Sequence, residues 1–161
     1  MLRAATAADA SRLAEIYIFA KRMAYRPIFN DDLVSFNEMQ VLPLALDLRD
    51  REEARKGLFV WDDGIVRGLA RRSWLPGEEK TFFFEELYVD PCFQGQGYGG
   101  KLMNSFLEAA RSEGAGEVFL WVLEKNTRAQ GMYKKFGFAP DGSRELEEGT
   151  PEYKVGYRLK L

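Results

Sequence analysis

A glycine-rich turn between a predicted strand and a predicted helix is the feature that most constrains this chain. Residues 94–100 read Gln-Gly-Gln-Gly-Tyr-Gly-Gly, follow an apolar run at Thr81–Val89 and open a strongly amphipathic segment at about 97–112. Glycines let the backbone approach a ligand closely. The first turn of a helix also presents unpaired N–H donors at the positive end of its dipole. Strand, turn and helix therefore predict a site for a phosphate or pyrophosphate group.

Length and composition limit the class of protein. The chain has 161 residues, 46% of them hydrophobic and 30% charged, which predicts one globular domain over residues 1–161. A formal net charge of −2 argues against general nucleic-acid binding. The sequence shows no apolar run of membrane-spanning length, and Met1-Leu2-Arg3 does not start a signal peptide. The single cysteine, Cys92, excludes an internal disulfide. We therefore expect a reducing, cytoplasmic location and no membrane partner.

The chain contains no histidine. This removes the commonest general base, every histidine-dependent catalytic triad and most zinc sites. We therefore expect no metal site. Any proton transfer must use Asp, Glu, Tyr, Cys, Lys or water.

Hydrophobic periodicity predicts a mixed sheet with helices on both of its faces. The predicted elements, in order, are a strand at 2–5, a helix at 7–25, helices at 31–39 and 44–56, a strand meander at 58–61, 65–74 and 81–89, a helix at 97–112, a strand at 118–123, a helix from Asn126 to Gly137 and a closing strand at 152–161. Thr6 or Asp9 can cap the first helix, and Arg26-Pro27 is expected to end it. Asp62-Asp63-Gly64 is a strong hairpin-turn signal within the meander.

The glycine turn has two other interpretations. Gly95, Gly97 and Gly100 match Gly-x-Gly-x-x-Gly, the dinucleotide fingerprint. In dinucleotide folds, however, the strand runs almost directly into the first glycine, whereas residues 90–94 intervene here. A turn that binds nothing is the other interpretation. Several near-consecutive glycines would start such a helix poorly, because each costs up to about 1 kcal/mol relative to alanine.

Several blocks of the sequence resemble the GNAT N-acetyltransferase family. Gln94-x-x-Gly97-x-Gly99 is similar to that family's acetyl-CoA-binding motif, Arg/Gln-x-x-Gly-x-Gly/Ala. Residues 87–91, 120–126 and 132–138 resemble the end of its fourth strand, its fifth strand with the exit, and the signature that ends in Phe-Tyr-x-x-x-Gly-Phe. The blocks lie in the right order within residues 81–139, whereas residues 1–56 match loosely. Gly100 is an extra glycine, and Met132 stands where phenylalanine is common.

The resemblance implies a fold, a reaction and a donor. The implied fold is an α+β, three-layer arrangement around a mostly antiparallel sheet of six to seven strands, splayed between strands 4 and 5. The implied reaction is direct transfer of the acetyl group of acetyl-CoA, the cosubstrate, to a primary amine. The resemblance assigns acetyl-CoA binding to Leu87, Tyr88, Val89, Gln94, Gly95, Gln96, Gly97, Tyr98, Gly99, Gly100, Asn126 and Tyr133.

Two adjacent acids are the candidates for the general base. Strict alternation would put Glu85 on one face of the strand with Leu87, and Glu86 on the other face with Tyr88. A buried carboxylate is costly unless it is paired or functional. Some diamine-acetylating relatives carry an acidic pair at the matching place, with the first acid acting as base. We therefore assign the role to Glu85, acting through a water, while a salt-bridged surface pair remains an alternative.

Three further residues have a catalytic and a structural interpretation. Tyr133 matches the family's general acid and could protonate the CoA thiolate, but it also lies on the apolar stripe of its helix. Asn126 caps that helix, and the resemblance adds a catalytic contact to CoA or to the acceptor. An acyl-enzyme at Cys92 would need a basic partner that the sequence does not show.

The acceptor is left open by the sequence. The acceptor wall of the family corresponds to residues 25–36, where Tyr25, Phe29, Asn30, Asp31 and Asp32 lie. The aspartates could attract a cationic amine, although we favour helix capping. A small-molecule amine and a protein N-terminal or lysine amine both remain candidates. Dimers are common in the family, so a homodimer is compatible with the sequence. A non-catalytic acetyl-CoA-binding regulatory or sensor module is the alternative function.

Overall fold

The computed structural model describes residues 1–31 and 40–161. The predicted helix at 31–39 therefore lies outside the described residues, except for its first residue, Asp31. The acceptor-wall residue Asp32 also lies outside them. The strands are β1 (Leu2–Ala4), β2 (Leu58–Asp62), β3 (Val66–Trp74), β4 (Thr81–Val89), β5 (Glu117–Leu123), β6 (Ala139–Leu146) and β7 (Tyr153–Lys160). The helices are α1 (Ala10–Phe29), α2 (Val41–Asp50), α3 (Glu52–Arg55), α4 (Tyr98–Ser112) and α5 (Thr127–Lys135), with short 3₁₀ turns at Ala7–Asp9 and Pro91–Phe93.

The strands form one sheet that opens in its middle. Its order is β1-β2-β3-β4-β5-β7-β6, and every neighbouring pair is antiparallel except β4–β5. The parallel pair joins three residues only, from Thr81 opposite Glu117 to Phe83 opposite Phe119. Beyond Phe83 the two strands diverge, while β4 stays paired with β3 as far as Val89. The predicted sheet, splayed between its fourth and fifth strands, is confirmed.

Two hydrophobic clusters cover the two faces of this sheet. On one face α4 buries the predicted stripe of Leu102, Met103, Phe106, Leu107 and Ala110. On the other face α1 and α2 bury residues that include Leu13, Ile16 and Leu48. Each fully buried side chain of this size contributes about 1.5–3 kcal/mol. The helices are thereby fixed against the two faces, and they position the opening between β4 and β5.

Strand β4 departs from the predicted strict alternation at Glu85. Arg71 pairs with Glu86 and Arg72 pairs with Phe84, so Glu85 is the extra residue of a β-bulge. The bulge shifts the phase of the strand by one residue. As a result Phe84 and Leu87 pack on the same hydrophobic cluster, although strict alternation would place an even-numbered and an odd-numbered residue on opposite faces. The prediction that alternation runs unbroken through the two acids is wrong for this reason.

Helix α1 begins at Ala10, after a 3₁₀ turn at Ala7–Asp9, and ends later than its prediction. Thr6 is the N-cap residue of the 3₁₀ turn and Asp9 that of α1, in agreement with the predicted positions. The Thr6 amide and hydroxyl both donate to the Asp9 carboxylate, at 2.8 and 2.9 Å. The predicted end at Pro27 is wrong, because the helix continues to Phe29. A proline in the last turn removes a single backbone donor, and the helix still closes through the Asn30 amide bonded to the Arg26 carbonyl at 3.0 Å.

The predicted helix at 44–56 is divided into α2 and α3. Arg51 separates them because it adopts extended backbone angles, φ −112° and ψ 113°. None of the described helices is long and apolar enough to span a membrane.

Candidate active site

A cavity of about 1020 Å³ occupies the opening between β4 and β5. One end is formed by the glycine turn and the start of α5. The other end is formed by the second half of α1 together with Glu147 and Lys154. All the predicted catalytic and acetyl-CoA-binding residues line it except Gln96, whose side chain is exposed at the outside of the turn. The structure therefore gathers residues that are up to 48 positions apart in the sequence, from Glu85 to Tyr133, around one space.

The glycine turn presents its backbone to one end of this cavity. Gly95 and Gly97 have φ of 78° and 85°, the left-handed region that side chains other than glycine rarely adopt. Gly97 is the N-cap of α4, and the first helical bond runs from the Lys101 amide to the Gly97 carbonyl at 3.1 Å. The amides of the residues between them precede that bond and have no intrahelical acceptor. These donors and the helix dipole fit a pyrophosphate.

Gln94 connects the turn to the two neighbouring elements. Its Nε2 donates to the Val89 carbonyl at 3.2 Å, and its Oε1 accepts from Arg128 Nη1 at 3.0 Å. The preceding loop is fixed in turn by Asp90, which accepts from the Cys92 amide at 2.7 Å and forms an ion pair with Arg12. The turn is thus held at a set distance from the end of β4 and from α5. Arg128 also lines the cavity, as a cation near the expected phosphates.

The two candidate bases, Glu85 and Glu86, both line the cavity but differ in their hydrogen-bond partners. Glu86 Oε2 accepts from Arg71 Nε at 3.2 Å, and Arg71 also donates to the carbonyls of Ala54 and Lys56 at 2.9 and 3.1 Å. Burial raises the pKa of Glu86 to about 7. A hydrogen-bonded arginine lowers the pKa of a carboxyl group, so Arg71 opposes this rise in the pKa of Glu86. Burial also lowers the pKa of Arg71. Glu85 makes no hydrogen bond or ion pair with any described residue, and the nearby Arg71 acts on it only at longer range.

Tyr133 lies on α5 and Asn126 is the N-cap of that helix, and both line the cavity. Tyr133 is 9% exposed and packs edge-on against Phe138, with ring centroids 5.9 Å apart. Burial raises the pKa of its hydroxyl above the usual range, so the group stays protonated at neutral pH. The Asn126 Oδ1 accepts from the Ala129 amide at 3.1 Å, which confirms the predicted cap. Its side-chain amide remains as a donor next to the cavity.

The far end of the cavity contains charged residues that the sequence did not single out. They are Lys21, Glu147 and Lys154. The position of Lys21 four residues before Tyr25 was a usable signal, because residues at that spacing share one face of a helix. Glu147 and Lys154 are placed there by the β6–β7 hairpin, whose turn contains Gly149 and Pro151, but the pairing of these strands is not local information. Of the acceptor-wall residues, Tyr25 and Phe29 line the cavity, whereas the described residues Asn30 and Asp31 do not.

Two other predictions can be placed in the structure. Cys92 is exposed and does not line the cavity, so an acyl-cysteine role has no geometric support. Among the described residues no group of three or more Cys, Asp and Glu side chains is arranged to hold a metal ion.

Solved structures with the same arrangement exist. The PaiA N-acetyltransferase of Thermoplasma acidophilum, crystallised in complex with coenzyme A, superposes with a TM-score of 0.74 at 16% identity. The superposition covers 100% of this chain and 98% of that one. At this identity the likeness shows a common fold.

Proteins of similar sequence are named as N-acetyltransferases. An uncharacterized N-acetyltransferase of Mycobacterium bovis is 36% identical over 143 residues, which cover 88% of this chain and 90% of the relative. A [ribosomal protein bS18]-alanine N-acetyltransferase of Haemophilus ducreyi is 38% identical over 79 residues, or 42% of this chain and 53% of the relative. The model of the acetyltransferase (GNAT) family matches residues 14–138. The resemblance seen in the sequence is therefore confirmed, and the chain belongs to the GNAT acetyltransferase family.

Proposed function

We propose that the protein is an acetyl-CoA-dependent N-acetyltransferase that transfers the acetyl group directly to a primary amine. The observation that carries this proposal is the continuity of the cavity. One space joins the anion-binding glycine turn to an unpaired carboxylate, Glu85, and to a buried hydroxyl donor, Tyr133. Such a space has room for a donor and an acceptor at once. The coenzyme A bound by the Thermoplasma relative of the same fold agrees with this use of the cavity.

The donor half of the cavity fits acetyl-CoA. Backbone amides at Gly95–Gly100 would hold the pyrophosphate, with Arg128 nearby as a compensating charge. The thioester would lie at the opening of the sheet. There, beyond Phe83, the edge of β4 that faces β5 has no strand partner among the described residues. Alternate amides along that edge are free donors, and one at Leu87–Val89 would polarise the thioester carbonyl.

Acetyl-CoA supplies an activated acyl group and a thiolate leaving group. Transfer forms the C–N bond of an amide, breaks the C–S bond and releases one proton from the nitrogen. The attacking amine must be neutral, so a base has to take its proton. Glu85 is the proposed base, through a water, because its carboxylate has no competing partner in the described structure. Glu86, with its pKa near 7 and its bond to Arg71, is the second candidate.

Tyr133 is proposed to stabilise the departing thiolate. An unperturbed tyrosine, with a pKa of about 10, is already a weaker acid than a thiol of pKa near 8.5. Burial raises the pKa of Tyr133 further. The structure therefore favours a hydrogen bond from Tyr133 to the sulfur over complete proton transfer. The thiolate would then take its proton from water as the product leaves.

Release of free CoA thiol from acetyl-CoA, measured across a broad panel of amines, tests the proposal. The panel should hold small amines, amino acids and short peptides with a free N-terminus or lysine. Mass spectrometry should find the acetylated amine in an amount equal to the thiol released. Tight binding of acetyl-CoA with no turnover of any amine would contradict the proposal and would favour a regulatory or sensor module.

A further inference from the structure

The acceptor end of the cavity contains a lysine without an ionic partner. Lys21 lies on α1, and its Nζ is 5.8 Å from the centroid of the Tyr88 ring and 6.0 Å from that of Tyr17. No carboxylate of the described residues comes within ion-pair distance of it. Burial lowers the pKa of its ammonium, and the more distant Glu147 acts in the opposite direction. An ammonium held among aromatic rings at a cavity wall, with no carboxylate of the described residues within ion-pair distance, is prepared for an anionic ligand.

The other charges at this end are largely matched within the protein. Glu86 is bonded to Arg71, and the ammonium of Lys154 lies 3.6 Å from both Glu147 and Glu145. Among the described charged residues that line the acceptor end, Glu85 and Lys21 form no ion pair within 4 Å, and only the more distant Arg71 and Glu147 act on them. A ligand that complements both must carry a positive and a negative group.

Two hydroxyl groups stand beside Lys21 and add donors of the right kind. The Tyr25 and Tyr88 hydroxyl oxygens are 3.3 Å apart, so one O–H donates to the other and the second is left to donate elsewhere. Tyr25 follows Lys21 by four residues, which puts the ammonium and the hydroxyl on one face of α1. A carboxylate can accept from both types of donor. The rings of Phe29, Phe83 and Trp121 also line the cavity and offer apolar surface to a ligand body.

We propose that the acceptor is an amino carboxylate, whose amine lies toward Glu85 and whose carboxylate is bound by Lys21 with the tyrosine hydroxyls. This inference rests on the proposed acetyl transfer and specifies its acceptor class. A diamine is disfavoured by the same charges. Its second ammonium would approach Lys21, and the carboxylates of Glu86 and Glu147 are already engaged by Arg71 and Lys154.

The test compares kcat/KM for three matched acceptor series of increasing chain length: amino carboxylates, their carboxamides and diamines. Thiol release and product mass give the rates. We expect amino carboxylates of one preferred length to exceed the matched carboxamide by about tenfold or more, mainly through KM, because one charge-assisted contact supplies that much. Lys21→Met should reduce this ratio to about twofold or less, with the larger loss for the amino carboxylates. Lys21→Arg should preserve the preference for the carboxylate.

Lys160→Met is the matched control, because it removes a charge from an exposed lysine at the end of β7, away from the cavity. It should keep the wild-type ratio. Equal rates for carboxylates and carboxamides, faster diamines, or an equal loss for all acceptors in Lys21→Met would overturn the acceptor class while acetyl transfer stands. Absence of turnover for every amine, with acetyl-CoA bound, would overturn the proposed function and the acceptor class with it.

Discussion

Glu86 is held 3.2 Å from Arg71 on β3, and the neighbouring Glu85 is the extra residue of a bulge on the same strand. The bulge thereby distinguishes two acids that are identical in the sequence. Both line the cavity, but Glu86 accepts a hydrogen bond from Arg71, whereas Glu85 makes no hydrogen bond or ion pair with a described residue. The two carboxyl groups are therefore expected to have separate effects, Glu86 on stability and Glu85 on catalysis.

Glu86 makes the free energy of unfolding depend on pH. Its pKa rises from 4.5 to about 7 on folding. The folded state therefore binds the proton more tightly, and the associated stability is complete below pH 4.5 and is lost as the pH rises through 7. The full shift corresponds to an upper limit of about 3 kcal/mol, and the partial exposure of the side chain and the Arg71 contact reduce it.

Glu86→Gln should flatten that pH dependence. The measurement is urea denaturation at a series of pH values between 4.5 and 7, for the wild type and the variant. Glu79→Gln, at an exposed position outside the cavity, is the control and should retain the wild-type slope. A variant slope equal to that of the wild type would show that Arg71 already compensates the burial of the carboxylate.

Glu85→Gln should lower kcat by about 100-fold or more and leave acetyl-CoA affinity unchanged, because a general base contributes at least that much. The amide keeps the size of the side chain but cannot accept the proton. Rates of thiol release should be taken across pH, together with a direct binding titration. Glu108→Gln, exposed on α4, controls for loss of one negative charge. A kcat within twofold of wild type at every pH would exclude Glu85 and leave Glu86 or water as the base.

Tyr133→Phe should lower kcat by about tenfold while the fold is kept. The ring retains its packing against Phe138, and only the donor to the sulfur is lost. Tyr157→Phe is a matched control, since it removes another buried hydroxyl, bonded to Gln130 at 3.3 Å and not lining the cavity. The control should cost about 1 kcal/mol of stability with kcat preserved. If kcat of Tyr133→Phe stays within about twofold, Tyr133 has a packing role alone.

Most of the fold could be predicted from the sequence because its signals are local. The strand at Thr81–Val89 has the predicted bounds, and α4 starts one residue after the predicted Gly97. The bulge at Glu85 could not be predicted, because it depends on how β3 and β4 pair and not on the residues of β4 alone. The end of α1 was placed too early because a proline in the last turn removes only one backbone donor, and the Asn30 amide still closes the helix.

The two ends of the cavity also differ in how far the sequence alone predicts them. The donor end is one contiguous segment, so its spacing is visible in the sequence. The acceptor end combines Lys21 of α1, Tyr88 of β4 and Glu147 of the β6–β7 hairpin. Only the three-dimensional arrangement shows which of these charges already have partners, and the substrate class depends on that information.

The conformation of Gly97 gives a last prediction, on the donor end. Its φ of 85° is the left-handed region, and a Cβ there would meet no atom within 4 Å. Gly97→Ala therefore strains the backbone without a steric clash, and it should lower the free energy of unfolding by about 1–2 kcal/mol. Relief of that strain would turn the amides at the start of α4 away from the pyrophosphate. We expect acetyl-CoA to bind at least tenfold more weakly.

Gly77→Ala separates strain from ligand binding. Gly77 has nearly the same φ, 83°, also with open space around it, but it lies in the β3–β4 turn away from the cavity. Thermal unfolding should show a similar loss of stability in both variants. A binding titration should then show weakened acetyl-CoA affinity in Gly97→Ala alone. Equal affinities in the two variants would mean that the left-handed glycine serves the turn and that the pyrophosphate is held elsewhere, by side chains such as Arg128.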